Sequence, residues 1–98
     1  MTKTDLMKEY VEARAEYKRA LKVQLGLEAK YLSDNGYVNE DGSVPGSIAE
    51  LKNSKLQQIA FEDFWKNHQT KDTVRFKGAK NCLEYIERKL KEANETAA

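Results

Sequence analysis

Cys82 and His68 are the first residues to weigh, because a thiol and an imidazole suggest a metal site or an activated nucleophile. A zinc site takes four ligands, often at Cys-x-x-Cys or paired-histidine spacings, and this sequence holds one cysteine and one histidine. A nucleophilic thiol needs a base beside it and a lowered pKa. Cys82 instead borders an apolar helical stripe, which suits a small buried hydrophobe. Carboxylate pairs stand at Glu12/Glu16, Glu62/Asp63 and Glu84/Glu87. Paired acids do acid–base work when their surroundings split their pKa values, but each of these pairs falls on a charged helical face. Neither glycine signature for phosphate is present. Asn39 to Gly42 echoes a calcium loop, yet Tyr37 and Ile48 occupy the places of its first and closing acidic ligands. The sequence thus offers no catalytic constellation, cofactor motif or metal-ligand set, and the expectation is a protein that is not an enzyme.

Aromatic and basic residues carry the remaining candidates. Tyr10, Tyr17, Gln24 and Tyr31 recur every seven residues, and Leu6, Ala13, Ala20 and Leu27 repeat at the same interval four residues earlier. Two interleaved heptad series place one apolar seam along one side of a helix. Phe61, Phe64 and Trp65 widen a second apolar stripe beyond half a helix circumference. Because large aromatics dominate interface energetics, Tyr10, Tyr17, Tyr31, Phe61, Phe64 and Trp65 are the expected partner-binding residues. Charge is unevenly spread. Residues 66–91 hold eight bases against three acids, a balance of +5, while residues 33–50 hold four acids and no base. Arg75, Lys77, Lys80, Arg88 and Lys89, with Trp65 and Phe76 nearby, form an alternative nucleic-acid or nucleotide surface. The competing reading is that the acidic loop offsets these bases.

The elements that position these residues are helical. Helix one is expected over 4–33, capped by Thr2 or Thr4 with Asp5 in its first turn. Residues 5–32 alone would make a rod of roughly 40 Å. Gly26 is its weak point, and Ser33-Asp34-Asn35-Gly36 supplies a stop. The 34–46 loop carries Asn-Gly and Asp-Gly turn signals and at most a minimal β-turn with two residues of strand per side. Ser47-Ile48-Ala49-Glu50 matches a capping box, so helix two is expected over 47–69. Phe76, Ala79, Leu83, Ile86, Leu90 and Ala93 keep a 3-4-3-4-3 spacing, which places helix three at 77–94, with a tail after Asn94 that should fray. The expected fold is all-α: one helical domain over 1–98, either a small three-helix bundle or a long helical hairpin with a third helix docked on it. Helix one outruns its partners, so surplus seam favours a homo-oligomer.

The run Tyr10 to Ala20 (YVEARAEYKRA), the Asn35-Gly36 turn, Pro45 and the helix from Ser47 resemble the layout of small terminase subunits of tailed phages over about half the chain. That resemblance implies a phage or other mobile element as the source, and DNA packaging as the setting of the nucleic-acid alternative. A formal net charge of +1 gives no global attraction to nucleic acid or membrane. No run approaches the roughly 18 apolar residues of a membrane span. The single cysteine and charged start fit a reducing cytoplasm. The leading expectation is a non-enzymatic protein–protein interaction module of adaptor or inhibitor type that associates with itself.

Overall fold

Thr2 starts the first helix. Its hydroxyl oxygen accepts the Asp5 backbone N–H at 3.2 Å and donates to the Asp5 carboxylate at 2.8 Å, which fixes the first turn. The computed structural model describes residues 2–96, the Thr96 side chain excepted. In it, α1 spans Lys3–Asp34, a 3-10 turn spans Ile48–Glu50, α2 spans Ser54–Asn67 and α3 spans Lys71–Thr96. Gly26 lies inside α1 and does not break it. The helix ends in a Schellman motif. Tyr37 N–H donates to the Leu32 carbonyl at 2.9 Å, Gly36 N–H donates to the Ser33 carbonyl at 3.2 Å, and Gly36 takes φ +72.

The loop after α1 forms no strand among the described residues. It holds one tight turn, within the minimal β-turn that the sequence allowed at most. Asn39 N–H donates to the Ser43 carbonyl, Gly42 takes φ +83, and the Asp41 carboxylate accepts both the Ser43 amide and hydroxyl. Lys52 then clamps the turn, its amide donating to Asn39 Oδ1 at 3.1 Å and its ammonium meeting Asp41 at 3.2 Å.

Helix two does not start at Ser47. Ser47 is buried and makes no capping bond, and Glu50 reaches past it to accept the Gly46 amide at 2.7 Å. The four residues make only a 3-10 turn, ended by extended backbone at Leu51. Asn53 is the cap of α2, its Oδ1 accepting from the amides of Lys55 and Leu56. Helix three starts six residues before the expected Lys77. Thr70 and Thr73 exchange bonds there: the Thr73 hydroxyl accepts the Thr70 amide at 2.7 Å and the Thr70 hydroxyl accepts the Thr73 amide at 3.4 Å. Val74-Arg75-Phe76 and Gly78 are therefore helical, and α3 runs past Asn94 to Thr96. Ala97 and Ala98, part of the expected fraying tail, lie outside the described residues.

The architecture is an all-α three-helix bundle drawn out as a hairpin. Pairing of Glu16 with Arg75 and of Tyr17 with Phe76, and the meeting of Tyr10 with Leu90, show α3 running antiparallel along α1. The core sits at one end, where Tyr31, Leu32, Ile48, Leu51, Ala60 and Phe64 meet and Leu27, Tyr37 and Trp65 pack around them. The other end is a two-helix arm. The radius of gyration is 17.1 Å, against about 13 Å for a compact chain of this length. With 26 residues, α3 is long enough to cover the seam of α1, so the expected overhang does not arise. Ala20, Gln24 and Tyr31 are buried, while Leu6, Tyr10, Ala13, Tyr17 and Leu27 are half-buried.

Gln24 is the polar exception within that seam. It is fully buried; its Nε2 donates to Glu28 at 2.9 Å, and its Oε1 has no partner. Glu28 keeps a second bond, accepting the Ile48 amide at 3.0 Å. An orphaned buried carbonyl costs about 1–3 kcal/mol, which offsets the bond to the Glu28 carboxylate, and a leucine in this fully buried place adds apolar burial. Gln24→Leu is therefore expected to stabilise the fold by roughly 1 kcal/mol and to raise the melting temperature by about 4–8 °C. Thermal unfolding followed by circular dichroism checks this, and an equal loss of stability would show that Oε1 is satisfied after all.

Candidate interaction surfaces

The aromatic residues separate into core and surface. Tyr31 and Phe64 are 5% and 2% exposed and belong to the core, which removes their rings from any contact surface. Tyr31 packs edge-on to Phe64 at 5.5 Å and to His68 at 4.8 Å, and stacks on Tyr37 at 6.0 Å. Its hydroxyl donates to Asp63 Oδ2 at 2.6 Å. Tyr10 and Tyr17 are half-buried between α1 and α3, Tyr17 against Phe76 at 5.7 Å. Phe61 is 54% exposed and meets half-buried Trp65 at 6.3 Å. Phe61 also borders a shallow recess with Ile48, Ala49, Gln57 and Gln58. On the opposite flank of α2, Leu56 and Ile59 are exposed.

The basic residues also divide. Arg75 Nε lies 2.6 Å from Glu16, Lys89 lies 3.5 Å from Glu92 and 5.5 Å over the Tyr85 ring, and Lys77 lies 5.4 Å over the Trp65 ring. Among the described residues Lys80 and Arg88 make no ion pair. Nor does the acidic loop offset this segment: its one ion pair, among the described residues, joins Asp41 to Lys52. Two cations from before α3 matter as well. Arg14 and Lys18 border one recess with Tyr10, and Tyr10 borders a second with Leu90 and Lys91, so these flanks of α1 and α3 face the same side of the arm. A segment-by-segment count of charge missed this, whereas helical periodicity over both helices would have found it.

The residues first weighed for chemistry lie in different surroundings. His68 caps the end of α2, with Nε2 3.5 Å from Asp63. Cys82 is exposed, not buried as its place beside the apolar stripe suggested, because it stands at the edge of that stripe, where it lines a groove between α1 and α3 with Glu9, Glu12 and Ala79. Among the described residues no group of three or more His, Cys, Asp or Glu is placed to hold a metal, and no helix is long and apolar enough to cross a membrane. Glu16 is held below the usual carboxylate range by its bond from Arg75, then by that from Arg19. Glu62 accepts from Gln58, and Asp63 from Tyr31 and Asn67.

No protein family matches the chain, and neither a curated protein nor a solved structure is similar to it. The likeness to small terminase subunits rests on sequence layout alone.

The Tyr31–Asp63 bond has a pH signature. Asp63 is held below the ordinary carboxylate range, first by the Tyr31 hydroxyl, then by Asn67, and also by His68. A carboxylate with a lowered folded-state pKa stabilises above its unfolded value of about 3.9, and that contribution disappears as pH falls through the folded value. Tyr31→Phe removes the largest cause. It is expected to cost roughly 1 kcal/mol at neutral pH and to flatten the loss of stability between about pH 5 and about pH 2. Urea unfolding across that range checks both, and unchanged acid sensitivity would show that the bond does not hold Asp63.

Proposed function

We propose that this chain is a non-enzymatic interaction module that associates with a second copy of itself through the Phe61–Trp65 face of α2. The observation that carries the reading is the exposure of Phe61 beside Trp65, on a 14-residue helix whose buried residues, Ala60 and Phe64, lie on one side only. A phenylalanine more than half in water contributes little to its own fold, while aromatic rings of this kind anchor interfaces. Trp65 is already ordered between Phe61, Phe64 and the Lys77 ammonium, which lowers the entropy lost when a partner covers it. Tyr31 and Phe64 support this face from beneath and make no contact with the partner. Cys82 is exposed and unbridged, which suits a reducing compartment such as the cytoplasm.

Sedimentation velocity from about 5 to about 200 µM is expected to show a rising average mass. Phe61→Ser is expected to weaken association roughly tenfold or more while changing stability by less than about 0.5 kcal/mol. A monomer at every concentration, or association untouched by the substitution, overturns the reading.

A further inference from the structure

The geometry points to a nucleic-acid site on the arm, formed by Arg14, Lys18 and Lys22 of α1 and Lys77 and Lys80 of α3, which holds a phosphate backbone. This site meets the Phe61–Trp65 face at Lys77, which lies over the Trp65 ring, and its test uses Lys18 and Lys80, so that its outcome is independent of that reading. Arg14, Lys18 and Lys22 are spaced by four residues on α1, a repeat of about 6 Å that winds roughly 40° around the helix at each step, from the flank of the seam at Arg14 toward its outer side at Lys22. Lys77 and Lys80 share a flank of α3 with Glu87 and Lys91 at spacings of three and seven. Tyr10 joins the two flanks on one side of the arm, because it borders both the Arg14–Lys18 recess and the Glu87–Lys91 recess.

Exposed cations of both helices therefore stand on the same side of the hairpin. The Tyr17–Phe76 ring pair packs between the helices at 5.7 Å. Among the described residues none of the five cations has a carboxylate within ion-pair distance. Beyond Lys80, Glu84 and Glu87 interleave with Arg88 and Lys91, which confines the uncompensated patch to the middle of the arm. The acids of α1 stand on its other flank: Asp5, Glu9, Glu12 and Glu16 follow a 4-3-4 spacing, and the last three line the groove on the far side with Ala79 and Cys82.

A patch of cations from two helices with no carboxylate partner among the described residues matches a polymer with a row of anions. The half-buried Tyr10 and Tyr17 add hydroxyls of the kind that hydrogen-bond phosphate oxygens. Tyr17 and Phe76 pack against each other and stand too low to insert into a bilayer or to stack an unpaired base. A duplex is thus favoured over a single strand and over an anionic membrane.

Fluorescence anisotropy of a labelled duplex of about 20 base pairs with the full chain, at about 50 and about 200 mM salt, tests the site. Neutralising four or five phosphates predicts a loss of affinity of roughly 100- to 500-fold between the two. Lys18→Glu with Lys80→Glu is expected to abolish binding at the lower salt. Lys18→Gln with Lys80→Gln gives the same direction, with circular dichroism confirming the fold. Lys8→Glu with Lys30→Glu, which changes net charge equally away from the face, is expected to leave most binding intact. Absence of duplex binding at the lower salt overturns the proposal. So does equal loss in the Lys8/Lys30 variant, or preference for vesicles of about 30% phosphatidylserine over the duplex.

Discussion

Tyr31 is the residue on which the bundle turns. It sits in the last full turns of α1, and its ring touches Tyr37 from the loop, Phe64 from α2 and His68 from the α2–α3 connection. Its hydroxyl ends on Asp63 at 2.6 Å, so a side chain that must bury a polar atom does so with that atom satisfied. The carboxylate it meets is tied in turn to Asn67 at 2.7 Å and to His68. One ring thus fixes where α2 lies against α1, and with it where α3 can begin. A phenylalanine here would bury the same ring and leave the direction of α2 less constrained.

That anchoring explains the uneven shape. Everything the loop contributes goes to the Tyr31 end: Ile48 and Leu51 join the core, Glu28 of α1 accepts the Ile48 amide, and Gln57 of α2 reaches the carbonyl of Ala49 at 3.0 Å. The arm has only two helices, so each keeps most of its circumference in water. Ala20, Thr73, Leu83 and Ile86 are buried along it, and Gln24 where it joins the core. The Glu16–Arg75 pair on its rim is too exposed for its charge to add much, and serves chiefly to set register. Local openings should start in the arm, where few apolar contacts hold the backbone.

How far these features could be read beforehand depended on which signals were local. The first helix was legible almost to the residue, because the Thr2 cap, the heptads and the Asn35-Gly36 stop all act within one turn. The starts of α2 and α3 were not. Ser47 and Glu50 have the capping-box spacing, but Ser47 is drawn into the core and Glu50 bonds Gly46, which leaves the cap to Asn53. At α3 the cap is a threonine pair, with Thr73 in the place a Glu or Gln usually takes. Gly78 lies inside α3, where its cost of about 1 kcal/mol against alanine does not end a 26-residue helix. Tyr10, Tyr17 and Tyr31 share one series and differ in burial only because α2 lies over one end of it. That is a tertiary fact which spacing does not encode.

The same limit governs the charges, and it shows where sequence counting and structure diverge. Summed along the chain, charge contrasts an acidic loop with a basic C-terminal third. Folded, the sharper contrast lies across α1, whose acids at 5, 9, 12 and 16 stand on one flank and whose cations at 14, 18 and 22 stand on the other. Solubility needs no such sorting, since a helix with both signs mixed on each flank is equally well solvated. Sorting also costs stability, because like charges at i, i+4 repel. Arg75 relieves it on the acidic side by meeting Glu16, while Lys77 and Lys80 add to it on the basic side. A molecule of nearly zero net charge has thereby concentrated one sign on one face of its least-covered region. Salt screens the repulsion among these exposed cations, and an anionic surface laid on that face would relieve it further.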